Sequence, residues 1–395
     1  MKSPLKEGLS VLHALEEHGH QAYFVGGCIR DYVMKRSIHD IDIATSATPD
    51  EVIQIFDKTV PTGLQHGTVL VLLKQSSYEV TTFRSEGTYE DFRRPSEVTF
   101  IRDLNEDLQR RDFTMNAMAM DRHGLLYDPF GGQEAIERKE ILAVGNAEER
   151  FMEDPLRMMR ALRFSAVLGF SLAAETKEAI QRLARYIAHT SIERVAEEWT
   201  KWLACADRDA VDVWLSSGLQ AQLPLGEKIG PALPAFGAHC DEWSTTAERW
   251  AFLFLLAEMS PSDSVAFLRA WKQSRTRSKD VTEKLQAIDR LKTTGFTPEA
   301  LYRVGERNAT FAWKAMRRTT QTEHITASEL AERFNSLPIH HRHELQMTGR
   351  DLLAWTGRSP GPWIEDVLAQ AEKLVVQQDI VNDNIALKEW FDEHH

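Results

Sequence analysis

At 395 residues the chain exceeds what a single compact core usually holds, so two or three domains are expected. Hydrophobic residues make up 43% and charged residues 27%, ordinary values that exclude disordered and fibrous classes. A net charge of −12 excludes a uniformly basic footprint for nucleic acid, though not a local basic groove beside an acidic metal site.

The polar N-terminal stretch has helical spacing from Leu5 to His18 and no secretory apolar core. A short strand, Ala22 to Val25, runs into the turn Gly26-Gly27, and a second strand is expected at Asp40 to Ala44. Thr68 to Lys74 faces Tyr78 to Arg84 across Gln75-Ser76-Ser77 as a hairpin. Ser85 to Glu97 is a polar loop carrying Glu86, Asp91, Arg93 and Arg94. A helix over Thr114 to Met120 precedes the turn Asp128-Pro129-Phe130-Gly131-Gly132. From about residue 148 only helical spacing is left, through Leu156 to Val167, Val195 to Leu203, Ala247 to Leu256, Val265 to Trp271, Leu301 to Met316 and Trp363 to Val376. Gly and Pro clusters at Leu223 to Pro234 and Ser359 to Pro362 break it. The expected fold is an α/β head with a small β-sheet followed by an all-α remainder. No apolar run reaches the ~20 residues of a membrane span. Cys28, Cys205 and Cys240 are scattered and form no CxxC, which predicts reduced thiols in the cytoplasm.

The sharpest pattern is Val25-Gly26-Gly27-Cys28-Ile29-Arg30-Asp31, followed by His39-Asp40-Ile41-Asp42-Ile43. Alternate strand residues share a face, so Asp40 and Asp42 point together while Ile41 and Ile43 enter the core. Two carboxylates at that spacing suit a pair of hard divalent cations, ~3.5–4 Å apart, that clamp the attacking and leaving oxygens of a phosphoryl transfer. Gly26 and Gly27 let backbone amides approach phosphate oxygens, and Arg30, one turn into the next helix, reaches the same phosphates. Glu79, on the hairpin, adds the third carboxylate such a reaction needs. Alone, each feature reads as a solvated strand face, a turn or an exposed glutamate. Their order and separation point to chemistry.

Further along, Glu153-Asp154-Pro155 opens a helix, with Glu153 or Asp154 as N-cap and Pro155 in the first helical position. Asp154, Arg157, Arg160 and Arg163 recur every third residue and form a slowly spiralling stripe about 13 Å long. An ionised Asp154 only accepts hydrogen bonds and Arg157 only donates them. Cytosine and adenine offer an amino donor beside ring acceptors, whereas uracil and guanine set a carbonyl against the carboxylate. The pair is thus a template for C and A, with Arg160 and Arg163 facing the triphosphate. The plain alternative is a capping aspartate with an i,i+3 ion pair and solvated arginines. In Arg110-Arg111-Asp112-Phe113-Thr114, Arg111 and Asp112 suit phosphates and a sugar hydroxyl, or Asp112 or Thr114 caps the following helix.

Taken in order, Gly26-Gly27 with Arg30-Asp31, Asp40-x-Asp42, Arg110 to Thr114, Asp128 to Gly132, Glu153-Asp154-x-x-Arg157 and Arg194 with Glu198 resemble the motifs of the bacterial class II tRNA nucleotidyltransferases. These are the CCA-adding enzymes of the DNA polymerase β-like superfamily. The match is in register over about residues 20 to 200 and continues weakly into Thr348-Gly349-Arg350-Asp351-Leu352 and Pro360-Gly361-Pro362-Trp363. The resemblance implies a catalytic head (1–147), a helical neck with a base-reading helix (148–205), a helical body (206–295) and a helical, tRNA-binding tail (296–395). It implies Asp40 and Asp42 as Mg²⁺ ligands and nucleotide contacts from Gly27, Arg30, Arg111, Asp112, Asp154, Arg157, Arg160 and Arg163. Glu153 supports that pocket, and Arg194 and Glu198, four apart and able to pair, brace it from behind. The implied reaction is attack of the tRNA 3′-hydroxyl on the α-phosphate of CTP, twice, then of ATP, releasing pyrophosphate without any template. Relatives that add only CC carry a shortened loop after the metal strands; Ser85 to Glu97 is intact. No HD metal signature follows the neck, so a fused phosphohydrolase is not expected.

Two other functions are open at this point. One is a poly(A) polymerase of the same superfamily, using ATP alone. The other is a non-catalytic RNA-binding relative, against which the intact Asp40 and Asp42 speak. The expected partners are tRNA, CTP and ATP, with no membrane; the oligomeric state, homodimer included, is open. Arg269, Lys272, Arg275, Arg277 and Lys279, and separately Lys314, Arg317 and Arg318, either meet RNA phosphates or simply face solvent.

Overall fold

The computed structural model describes residues 3–64, 67–73, 76–87, 98–319 and 325–395. The chain divides into two compact units, Met1–Glu242 and Trp243–His395, a boundary that falls inside the expected body at 206–295.

The first unit opens with α1 (Ser3–Glu17), β1 (Ala22–Val25), α2 (Gly27–Val33), β2 (Asp42–Thr45), α3 (Pro49–Ile55), β3 (Thr59–Gly63), β4 (Thr68–Leu73) and β5 (Ser76–Thr82). Next come β6 (Arg84–Glu86), β7 (Val98–Phe100), α4 (Leu104–Gln109), β8 (Ala119–Met120) and β9 (Leu126–Tyr127). Seven strands form one sheet in the order β3-β4-β5-β2-β1-β8-β9. Strand alternation gives it two different faces. Phe24, Ile43, Val69, Val71 and Val80 lie on one, in a core with Leu5, Val11, Leu12 and Leu15 of α1 and Val52 of α3. Val25, Ala44 and Ala119 lie on the other, in a smaller core with Phe83, Leu104 and Leu108. Asp42, two residues before Ala44, therefore projects from this second face.

Thr114 to Met120 is not the helix its spacing suggests. Thr114–Asn116 makes a single 3-10 turn, and Ala119–Met120 becomes a strand beside β1. Ala117 to Met120 are all buried, and a segment enclosed on both sides satisfies its backbone by pairing with the sheet, whatever its helical propensity. β6 and β7 pair antiparallel, so the expected loop Ser85 to Glu97 begins as a ribbon. Its residues 88–97, with Asp91, Arg93 and Arg94, lie outside the described residues.

Helices then dominate: α5 (Gly132–Arg138), α6 (Ala147–Glu153), α7 (Leu156–Leu168), α8 (Ala174–Leu183), α9 (Ile192–Cys205) and α10 (Arg208–Ser216). One short strand pair interrupts them, Glu140–Ile141 running parallel to Ser171–Leu172, a strand beyond residue 148 that the spacing did not predict. Trp199 and Trp202 of α9 meet Trp214 of α10 with ring centroids 4.5–4.8 Å apart. Such pairs are worth about 0.5–1.5 kcal/mol beyond their burial and anchor the helix that carries Arg194 and Glu198. The Gly/Pro stretch Leu223 to Pro234 is not a bare break but holds α11 (Gly226–Ile229) and the start of α12 (Leu233–Gly237).

The second unit comprises α13 (Thr246–Leu256), α14 (Pro261–Ala270), α15 (Arg275–Thr294), α16 (Pro298–Thr319, broken at Gly305), α17 (Ala327–Asn335), α18 (Gly349–Thr356), α19 (Trp363–Val376) and α20 (Asn384–His394). Trp250, Phe254, Phe267 and Trp271 pack ring against ring in its core. The Thr348-Gly349-Arg350-Asp351 motif is a capping box that starts α18. Among the described residues no single helix is long and apolar enough to cross a membrane.

Candidate active site

β1 and β2 run antiparallel with Val25 opposite Asp42, and β2 and β5 run parallel with Asp42 opposite Glu79. In-register neighbours share a face, so Asp42 and Glu79 project together. Asp40 lies just before β2 rather than in it, and is exposed. Burial, then Glu79, push the Asp42 carboxyl above its ordinary range; Arg111 opposes them, and Asp40 adds to the rise. Asp40, Asp42 and Glu79 line a cleft of about 260 Å³ with Glu7, His39 and Ser77. Among the described residues no three or more His, Cys, Asp or Glu close into a metal cage. An open, acidic donor set suits a hard cation that takes its other ligands from substrate phosphates and water.

The adjoining turn depends on glycine. Gly26 has φ 71° and ψ −135°, and a Cβ there would stand 3.1 Å from Arg111 Nη1 and 3.5 Å from Asp42 Oδ2. Arg111 is delivered by the end of α4, where buried Asp107 accepts from Arg110 at 2.7 Å and from Arg111 at 3.1 Å. Burial pushes the Asp107 carboxyl up, but Arg111 and Arg110 outweigh it and hold it down. Arg111 Nε is buried without a hydrogen-bond partner among the described residues. Gly27 stands in the first turn of α2, where a Cβ would meet only Arg30 Nη2, at 3.6 Å.

A second cluster centres on Asp112. Its Oδ1 accepts from Phe113 N at 2.8 Å and Asn116 Nδ2 at 3.0 Å, and its Oδ2 accepts from Arg160 Nε at 2.8 Å. Burial pushes this carboxyl up, yet Arg160 and Asn116 hold it down at about 2. Asn116 Oδ1 in turn accepts from Arg30 Nη1 at 3.0 Å. Arg160 also faces Glu198 at 3.7 Å, and Glu198 accepts from Arg163 Nε at 2.5 Å. Arg30, Arg160 and Arg163 stand 5.2, 5.4 and 4.0 Å from the centre of the Phe164 ring. A continuous network therefore joins α2, the 112–116 segment, α7 and α9. Gly132 packs against it, since a Cβ there would fall 2.4 Å from Thr114 O, and Asp128 fixes that turn by accepting from Gly132 N at 2.6 Å.

Arg157, Arg160 and Arg163 of the stripe lie on α7 and Asp154 lies just before it, but the pairings differ from those the spacing suggested. Glu153 ends α6 instead of capping α7, Pro155 precedes α7, and Asp154 sits at the joint, accepting from Leu156 N at 3.1 Å. Asp154 does not pair with Arg157. It takes a two-pronged bond from Arg194, at 3.2 and 2.7 Å. Arg157, 8% exposed, donates to Glu153 at 2.6 Å and to the carbonyls of Arg150 and Arg110. Arg194 and Glu198 therefore bond separate residues rather than each other, and Arg160 and Arg163 turn toward carboxylates. The reason is energetic: neighbours on one helix make weak solvated pairs, whereas tertiary contacts supply desolvated, charge-assisted and bidentate ones. Asp112 caps no α-helix, and Thr114 Oγ1 has no hydrogen-bond partner among the described residues.

Three members of the site were not singled out from the sequence. Asp107 had a readable signal, standing three and four residues before Arg110 and Arg111 on a helix. Asn116 and Phe164 had none, because their roles depend on residues far away in the chain.

Family models match three stretches of the chain: a Poly A polymerase head domain over residues 22–142, a probable RNA and SrmB-binding site of polymerase A over 169–219, and a putative tRNA nucleotidyltransferase domain 2 over 241–391. The chain is 45% identical to the CCA-adding enzyme of Bacillus cytotoxicus, with 98% of each covered. It is also 45% identical to the CCA-adding enzyme of Listeria monocytogenes, with 100% of each covered. Its structure is similar to that of the Bacillus stearothermophilus CCA-adding enzyme in complex with CTP, with a TM-score of 0.87 at 40% identity, covering 100% of this chain and 98% of that one.

Proposed function

The chain belongs to the CCA-adding enzymes, a family of tRNA nucleotidyltransferases, and we propose that the acidic corner of β2 and β5 is where it joins C, C and A to the tRNA 3′ end from CTP and ATP. The observation that carries this assignment is the in-register pair Asp42 and Glu79, joined by Asp40, beside a glycine turn covered by Arg111. Nucleotidyltransferases of this superfamily generally use divalent metals. We take the ion here to be Mg²⁺, held by Asp40 and Asp42, because a carboxyl raised by burial and by neighbouring acids is relieved by a cation. When bound, it polarises the reacting phosphate and makes the attacking oxygen a better nucleophile.

The chain's own residues do the rest. Glu79 supplies the third carboxylate. Gly27, Arg30 and Arg111 receive the triphosphate, the guanidiniums neutralising charge that passes to the leaving pyrophosphate. Asp154 accepts from the amino group of C or A while Arg157 donates to a ring acceptor; Arg194 and Glu153 hold each reader in one orientation. Arg160 and Arg163 complete the nucleotide pocket, positioned by Asp112 and Glu198. We place the protein in the cytoplasm, where its three free cysteines stay reduced.

The test is incubation with tRNA lacking its 3′ end, each nucleoside triphosphate in turn and Mg²⁺, with products sized to one nucleotide. CTP alone should add two residues and CTP with ATP three, while UTP and GTP add none. Long tails from ATP alone would instead assign a poly(A) polymerase, and RNA binding without any addition a non-catalytic relative.

A further inference from the structure

Phe164 lies on α7 one turn beyond Arg160 and next to Arg163, and it is 6% exposed. The chemistry above gives it no part. By burial alone it would be an ordinary core side chain, set edge to face against Phe113 with ring centres 5.9 Å apart and planes at 84°. Its other neighbours are not those of a core.

Three guanidiniums converge on the ring. Arg163 stands 4.0 Å from its centre, Arg30 5.2 Å and Arg160 5.4 Å. Energetically significant contacts of this kind occur roughly once per 70–80 residues, so three on one ring are more than chance packing supplies. Two of these arginines share α7 with the ring, whereas Arg30 is brought to it from α2 by the fold. Like charges this close repel, and each is offset by a carboxylate: Arg30 bonds Asp31 at 3.0 Å, Arg160 bonds Asp112 at 2.6 Å and Arg163 bonds Glu198 at 2.5 Å. Glu198 also reaches Arg160, at 3.7 Å. Among the described residues no carboxylate bonds all three arginines. The ring is the group they share.

The chemistry of the site explains why an aromatic ring suits this place better than a further acid. The negative face of the ring attracts a guanidinium while carrying no net charge. Another carboxylate would hold the arginines as well, and it would repel the triphosphate they are to receive. A guanidinium has five N–H donors, and those not taken by Asp31, Asn116, Asp112 or Glu198 stay available to phosphate oxygens. We propose that Phe164 is a positioning residue for the nucleotide: its ring gathers Arg30, Arg160 and Arg163 into one cationic group that receives the triphosphate. The inference rests on the nucleotide-binding role given to those arginines above.

The test places mono-, di- and trifluorophenylalanine at residue 164 alone in the full-length protein, beside Phe164→Leu. Each fluorine drains the negative face of the ring while size and apolarity nearly hold, so a packing role would not feel the series. CTP affinity, measured by equilibrium dialysis with Mg²⁺, should fall about two-, four- and tenfold along it, and about tenfold in Phe164→Leu. The inhibition constant of inorganic pyrophosphate should rise by the same factors, since the phosphates are what the arginines hold. Affinity for tRNA lacking its 3′ end should not change. Nor should the choice of C and A over U and G, because Asp154 and Arg157 are held by other partners. CTP affinity that stays flat along the fluorine series overturns the proposal, whatever Phe164→Leu does. So does altered base choice at unchanged pyrophosphate inhibition. If the wild type adds no nucleotide while CTP affinity still falls with fluorine, the functional assignment fails and the role of the ring stands. If the wild type adds C, C and A while affinity stays flat, the ring alone fails.

Discussion

The acidic corner of β2 and β5 and the arginine network of α7 are both dense in charge, and they treat it in opposite ways. At the corner, burial and then Glu79 raise the Asp42 carboxyl, with Arg111 as the opposing cation and Asp40 adding to the rise. In the network Asp112, Asp154, Glu153 and Glu198 each accept from an arginine, and the Asp112 carboxyl is lowered. Matched charges hold a shape; unmatched ones are a demand for a ligand. The two regions should therefore fail differently when broken.

The largest effect is expected at the corner. Asp40→Ala or Asp42→Ala should cut nucleotide addition about 10³-fold or more, the several kcal/mol that a lost metal ligand removes. Affinity for tRNA should hold, and the melting temperature of Asp42→Ala should hold or rise, since a repelling carboxylate is gone. Retained turnover would refute the metal assignment.

In the network, loss of stability comes first. Asp112→Asn leaves the half-buried Arg160 without its main partner and should cost about 1–3 kcal/mol in denaturant unfolding at neutral pH. The sign of the pH dependence follows from the depressed carboxyl. Its stabilisation is complete above the unfolded value of about 3.9 and is lost as pH falls through about 2, so wild type and variant should converge across that window.

A smaller effect separates reading from holding. Asp154→Asn puts an amide donor where only an acceptor stood, so incorporation of UTP and GTP relative to CTP and ATP should rise about tenfold, scored at single-nucleotide resolution. The smallest is expected from shortening Ser85 to Glu97, which should suppress the final A more than the two C additions. Equal loss of all three would count against a switching role for that loop.

The head, the hairpin and most long helices were legible because each leaves a local trace. Ala22–Val25 and Trp363–Val376 lie where periodicity put them. The short strand at Ala119–Met120 left none, because enclosure by the sheet, not its own propensity, made it extended. In the site, the residue types and their positions were readable, and of the partners only those close in sequence, such as Asp107, were.

Two periodicities, 2 along a strand and 3.6 along a helix, are properties of any backbone, and from them came the shared face of Asp40 and Asp42 and the arginine stripe of α7, while the turn was read from its glycines. Local spacing covers Asp107 with Arg110 and Arg111, but which carboxylate Arg160 and Arg194 grip was settled only by packing. Arg194 meets Asp154 across 40 residues of chain and Arg160 meets Asp112 across 48, distances over which local spacing carries no information and the neighbouring helix decides.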